Sequence, residues 1–327
     1  MEDLIFSINA VLPIVLLVCI GYLLRRLGVL PLSVTGVMNK LVFRVFLPAM
    51  LFLNVYNIQS FSQTSFDYIF YVLIFTVCIF FVGIPTVMLI TKDNRQRGSV
   101  LQGFFRSNYA LVGIPLATSI FGAEGGIVAA MLSAFIIPLF NILAVVSLSI
   151  FGGKNGKHPS PAKILLDIIK NPLIQAIALG GIVLLIRVAF VKHSIEFRLA
   201  DVKPVYSVLT SLSAVATPLS LVTLGAQFEF SAVPTLKKPI LWTVLVRCLL
   251  IPVIALSVAL AIGRFNSAHF AAFLAVYVTP VAVSSVPMAQ EMDADVALSG
   301  QLVVWTTLIS GFTIFAATWI LKSIGIF

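Results

Sequence analysis

GFFRSNYALVGIPLATSIFG, residues 103–122, is apolar enough to lie in a membrane, yet it carries Arg106, Ser107, Asn108, Gly113 and Pro115 within ten residues. Residues 274–292, LAVYVTPVAVSSVPMAQEM, repeat the pattern with Thr279, Pro280, Ser284, Ser285, Pro287 and Gln290. Proline removes a backbone donor and clashes with the preceding helical turn. In lipid such a break survives only where neighbouring protein or a wet cavity satisfies the freed groups. The two stretches therefore predict broken helices packed inside a bundle. Repeat transporters hold their substrates between broken helices of this kind, and the free N–H groups at a half-helix start suit an anion.

Moving outward, the whole chain reads as membrane-embedded. Hydrophobic residues make up 60% of its 327 residues and charged residues 10%, against about 25% charged in a soluble domain. Ten apolar runs are long enough to span, near 5–24, 36–57, 68–90, 100–121, 127–150, 172–190, 205–228, 239–262, 267–290 and 296–321; each span needs about twenty residues. The net charge of +9 lies in the connectors between runs and not on one face, which argues for membrane topology and against nucleic acid. With the N-terminus outside, inner connectors hold twelve Lys and Arg, among them Arg25, Arg26, Arg95, Lys163, Lys237 and Lys238, against six outside. The positive-inside rule thus places both termini outside. The first run is not expected to be a cleaved signal: it opens on Glu2 and Asp3 and ends at Arg25-Arg26. Cys19, Cys78 and Cys248 lie inside apolar runs and predict no disulfide framework.

Prolines recur in order across the two halves. Pro13, Pro48, Pro85 and Pro115 answer to Pro172, Pro218, Pro252 and Pro287, at separations of 159 to 172 residues. Five spans per half is an odd number, so the second half must enter from the opposite side. The expected fold is all-α and polytopic: ten transmembrane helices as two inverted five-helix repeats, with the fourth and ninth helices broken and crossing. Residues 1–150 form the first repeat, 151–171 a cytoplasmic linker and 172–327 the second. The linker's GGKNGK run resembles a phosphate-cradling loop, but Phe151 and His158 stand where that motif needs Gly and Ser or Thr. It reads as a solvated hinge.

Several segments together resemble the auxin efflux carrier family. They are Leu47-Pro48 and the residues to Phe52, Asn108 through Pro115 to Phe121-Gly122, Asn171-Pro172, Thr217-Pro218 to Gly225, and Pro280 through Val286-Pro287, Gln290-Glu291 and Asp295 to Ser299. The resemblance covers essentially the whole chain. It implies a substrate site where the fourth and ninth helices cross at Pro115 and Pro287, with Asn108 at the family's helix-four asparagine. It also implies a cargo such as auxin in plants or malonate and malate in bacteria. The chain lacks the long cytoplasmic loop of many plant members. Leu51 stands where plant carriers have a polar site residue, with Asn54 as the polar alternative nearby.

The candidate substrate-binding set is Asn54, Arg106, Asn108, Gly113, Pro115, Asn141, Thr279, Pro280, Ser284, Ser285, Pro287 and Gln290. It is rich in donors and has no carboxylate, which predicts a small organic anion, a mono- or dicarboxylate. An intramembrane arginine needs a reason: Arg106 is expected to face the anion, Arg44 and Arg247 to snorkel to the interface. The expected class is a secondary transporter of the cell (inner) membrane, with an anion channel as the alternative. An intramembrane enzyme ranks lower, because the sequence has neither an H-E-x-x-H run nor a mid-helix Asp pair. No cofactor or metal is expected. The partners are the organic anion and the lipid bilayer, not nucleic acid, with pairing into a homodimer left open.

Overall fold

The computed structural model describes residues 2–58, 66–152, 160–195 and 197–327. The described residues are all helix, turn or irregular chain apart from one isolated antiparallel bridge, Ser107 to Val281. Its helices are α1 (Glu2–Arg26), α2 (Leu32–Tyr56), α3 (Asp67–Ile90), α4 (Asn94–Phe105), α5 (Tyr109–Phe151), α6 (Pro161–Lys170), α7 (Pro172–Lys192), α8 (Lys203–Gln227), α9 (Phe230–Ile262), α10 (Ser267–Tyr277), α11 (Ser285–Glu291) and α12 (Val296–Ser323). Seven of them, α2, α3, α5, α7, α8, α9 and α12, are long and apolar enough to cross a membrane. Their outward faces carry bare hydrophobic side chains: Leu89 is 82% exposed, Leu241 68% and Phe312 75%. Water would penalise such faces, and lipid does not. The protein is a polytopic membrane protein.

α5 is a hairpin. Its 43 residues would reach about 65 Å if straight, twice the hydrocarbon thickness of about 30 Å. Phe121 and Gly122 leave helical geometry, and Gly122 takes φ 60°, ψ −153°, a conformation that only glycine holds cheaply. The chain then doubles back, because a Cβ on Gly125 would lie 2.5 Å from the Ala117 carbonyl oxygen. The two arms meet the gap expected between residues 121 and 127.

α2 and α9 each carry a widened π-turn, at Val42–Phe46 and Val246–Leu250, just before Pro48 and Pro252. A proline cannot donate to the carbonyl four residues back, and the wider turn absorbs the misfit. α1 packs on α8 at near backbone contact: a Cβ on Gly21 would meet the Val222 oxygen at 2.0 Å, and one on Gly225 the Val18 oxygen at 2.0 Å. α2 lies on α7 and α8, and α10 on α5. α12 packs against α1, α4, α9 and α11. Asp93, Asn171, Asn266 and Asp295 cap α4, α7, α10 and α12 through their side-chain oxygens.

Within the expected linker Ser160 caps α6, whose apolar Leu165, Leu166 and Ile169 are exposed beside Lys163 and Lys170. That is the pattern of a helix lying in the membrane interface. The lysine-glycine run and His158, in 153–159, lie outside the described residues.

Candidate functional site

α4 stops at Phe105 and α10 at Tyr277, and the non-helical segments that follow meet at the isolated bridge of Ser107 and Val281. The Asn108 amide donates to the Pro280 carbonyl at 2.8 Å, and the Ala282 amide to the Arg106 carbonyl at 3.3 Å. Ser107 Oγ lies 3.0 Å from Thr279 Oγ1, and Thr306 Oγ1 accepts from the Val281 amide at 3.1 Å. The crossing therefore falls at Ser107 and Val281, not at Pro115 and Pro287 as the resemblance implied. Pro287 sits in the first turn of α11, where a missing N–H costs little because first-turn amides have no intrahelical acceptor. Pro115, by contrast, is the seventh residue of α5 and follows directly on a π-turn, Tyr109–Gly113, that absorbs its misfit as in α2 and α9.

The breaks orphan carbonyls, and Arg247 collects them. Pro280 has no N–H to give to Val276, four residues back. The Asn108 amide, which would serve Phe104, is turned to Pro280. Arg247 Nη2 donates to Val276 O at 2.8 Å and to Thr279 O at 2.7 Å. Its Nε reaches Thr279 O at 3.0 Å and its Nη1 Phe104 O at 3.2 Å. Arg247 is fully buried, so the expectation that it snorkels is corrected: its reach is spent on interior carbonyls. Arg44 does behave as an interfacial arginine, its side chain 60% exposed and paired with Glu291 at 3.3 Å.

Arg106 points the other way, into a cavity of about 60 Å³. Asn54 of α2, Asn108, Asn141 of the second α5 arm, Leu173 of α7 and Ser284 share its lining. The Arg106 side chain is 97% buried by its residual 3% exposure. Its Nη1 donates to Gln102 Oε1 at 2.9 Å and rests on the Met288 sulfur, while Nη2 donates to Asn141 Oδ1 at 2.8 Å. Among the described residues no carboxylate lies within ion-pairing distance of it. Asn108 Nδ2 is buried without a partner, as is Ser285 Oγ. The amides of Tyr109, Ala110 and Leu111 open the second half-helix, where no intrahelical acceptor exists for them.

Asn54, Ala110 and Ile137 also line a larger chamber of about 620 Å³ with Asn57, Thr118 and Ser133. At the opposite end a separate chamber of about 250 Å³ lies among Phe43, Arg44, Lys163, Asp167, Lys170 and Glu291. It shares no lining residue with the cavity.

Of the candidate residues, the structure gathers Asn54, Arg106, Asn108, Asn141 and Ser284 on one cavity. Thr279 and Pro280 build the crossing segment beneath it, and Ser285 lies beside it. Gly113 packs against α10, where a Cβ would sit 2.6 Å from the Ala275 oxygen. Gln290 is placed apart: its Nε2 donates to Gly36 O at 3.0 Å, and its Oε1 accepts from Asn39 Nδ2 at 2.7 Å, with Gln227 beside them. Sequence reasoning missed Gln102 and Met288 at the crossing, and named Ser107 among the residues that break the helix without placing it in the binding set. Gln102 was findable, since it stands four residues before Arg106 on one helix face.

A profile of the membrane transport protein family matches residues 6–318. An uncharacterized transporter of Methanothermobacter thermautotrophicus is 24% identical over 93% of this chain and 95% of its own length. An uncharacterized transporter of Methanocaldococcus jannaschii is 26% identical over 72% of this chain and 73% of its own. The uncharacterized transporter YfdV of Escherichia coli is 24% identical over 98% of both.

Proposed function

The chain belongs to the membrane transport protein family, that of the auxin efflux carriers, and is a multi-pass membrane transporter and not an enzyme; from that premise we propose that it carries a small organic anion, a mono- or dicarboxylate, by alternating access at the crossing of its broken helices. The observation that carries this reading is Arg106, a buried guanidinium with neutral partners only, on the same cavity as the unpartnered Asn108 amide. A buried charge is costly until an opposite charge and hydrogen bonds meet it. A carboxylate in the cavity supplies both. The half-helix start at Tyr109 adds a positive dipole end.

The proposed architecture is ten passes. α4 and the first arm of α5 make the fourth, the second arm of α5 the fifth, and α10 with α11 the ninth. Five passes, residues 1–150, precede the linker 151–171 and five follow in 172–327, inverted with respect to the first. Two packing relations support this: α1 lies on α8 and α2 lies on α7, the exchange that a twofold axis between halves requires. The positive-inside rule puts both termini outside in the cell membrane. The open chamber at Asn57 then faces outward, and the chamber at Lys163 faces the cytoplasm. A site that shares its lining with the chamber at one end and none with the chamber at the other suits a carrier better than a channel.

Transport by the purified protein in liposomes tests this reading, with malonate, malate and indole acetate as probes. Saturable carboxylate uptake with counter-flow supports it. Selective movement of a sugar or a cation, or unitary currents, would sink it. In a background lacking Cys19, Cys78 and Cys248, cysteines at Glu124 and Lys163 should label from opposite sides; labelling from one side refutes the inverted arrangement.

A further inference from the structure

Arg247 lies fully buried in α9, and every hydrogen bond its guanidinium makes goes to a backbone carbonyl. The acceptors are Phe104, in the last turn of α4, and Val276 and Thr279, at and just past the end of α10. Two half-helix C-termini thus converge on one side chain. Each such end carries roughly half a negative charge. Two of them amount to about one, and a single guanidinium cancels it. In carriers built from broken helices, carbonyls of this kind, from unwound backbone and half-helix C-termini, hold a coupling cation.

We infer that Arg247 is a tethered substitute for that cation, so that the crossing is complete without sodium. The negative ends of the half-helices are satisfied from within the chain. The positive start at Tyr109 and the Arg106 guanidinium are left for the anion. Arginine suits the post because its planar fork spreads its donors over acceptors on two helices at once, a geometry that the compact ammonium of lysine matches less well. The inference builds on the anion-carrier reading, but its test does not depend on knowing the substrate.

The test is the melting of the purified full-length protein in sodium, potassium and choline chloride at one ionic strength. Wild type should melt at the same midpoint in all three. Arg247→Ala removes the tethered charge and leaves the Phe104, Val276 and Thr279 carbonyls around a void. It should melt lower in choline and recover by roughly 2 °C or more in sodium or potassium, because a ligand that binds only the folded state stabilises it. Arg247→Lys keeps the charge and should show no such cation dependence. Arg247→Gln, which leaves a donor in place of the charge, serves the same comparison if the alanine variant does not fold. Sodium-selective stabilisation of wild type overturns the inference, and so does a neutral variant that melts alike in all three salts. Anion uptake by wild type driven by a sodium gradient also overturns it while leaving the carrier reading intact. A failure to find anion transport leaves the melting comparison standing.

Discussion

The amide of Asn108 donates to the carbonyl of Pro280 at 2.8 Å, and this bond joins the two broken helices. It diverts Asn108 from its helical acceptor, Phe104, and fixes the residue that carries an unpartnered side-chain amide beside Arg106. The backbone exchange thus positions the proposed anion donors, and Arg247 satisfies the carbonyls left behind. Structure and proposed chemistry are coupled through a handful of main-chain bonds.

Loss of the donors should weaken binding more than folding. Asn108→Ala should raise the carboxylate Kd roughly tenfold to a hundredfold, since a charge-assisted hydrogen bond is worth about 1.5–3 kcal/mol. Arg106→Gln should abolish detectable binding, because it removes the one cation that lines the cavity among the described residues. Ligand-induced thermal shift on the purified variants reads both, with the unliganded midpoint as the control for folding. Unchanged Asn108→Ala affinity would remove that side chain from the site.

Adjacent glycines in α7 should respond in opposite directions. A Cβ on Gly180 would lie 2.8 Å from the Phe52 carbonyl oxygen, whereas a Cβ on Gly181 meets nothing within 4 Å. Gly180→Ala should push α7 off α2 and lower the melting midpoint. Gly181→Ala should be neutral or raise it, by about 0.5–1 kcal/mol, since alanine is the better helix residue. Equal effects from the two would mean that α2 and α7 do not pack as described.

How legible was this in the sequence? The break in α4 was, because Arg106, Ser107 and Asn108 interrupt an apolar run that lipid alone would not tolerate. The register of the crossing was not. Nothing local says that Ser107 faces Val281, and the prolines that drew attention, Pro115 and Pro287, lie past the crossing, one behind a π-turn and the other in a first turn that accepts it. Arg247 was misread for a physical reason: its acceptors exist only because distant breaks free the carbonyls of Phe104, Val276 and Thr279. In the sequence it is an arginine near a helix end, and snorkelling is the usual fate of those. Gln290 carried the right chemistry but belongs to a contact between α2, α8 and α11.

That contact should act as a latch at the end of the Lys163 chamber. Asn39 Nδ2 donates to Gln227 Oε1 at 3.0 Å and Gln290 Oε1 at 2.7 Å, and Arg44 pairs with Glu291 at 3.3 Å a turn away. Gln290→Leu should leave Asn39 and Gln227 less well matched and favour the conformation open at that end. A cysteine at Leu173, on the cavity wall, should then label faster from the side of α6, in a background without the native cysteines. Unaltered labelling would reduce the cluster to ordinary packing.

Pro280 offers the sharpest separation of folding from transport. Its ring denies Val276 a helical donor, frees the chain to extend, and leaves its own carbonyl for Asn108. In Pro280→Ala the new N–H competes with Arg247 for the Val276 oxygen, and the bond it forms requires α10 to continue for another turn. Continued helix withdraws the Pro280 carbonyl from Asn108 and pulls the two segments apart. The variant should therefore melt at or above the wild-type midpoint, yet transport the anion at least roughly tenfold more slowly, a barrier increase of about 1.4 kcal/mol. Pro287→Ala is the control. The residue sits in the first turn of α11, where a regained N–H finds little use, so its transport rate should stay within about threefold of wild type. If Pro280→Ala transports at the wild-type rate, or if both prolines lose activity together, the backbone crossing at Ser107 and Val281 is not what positions the substrate.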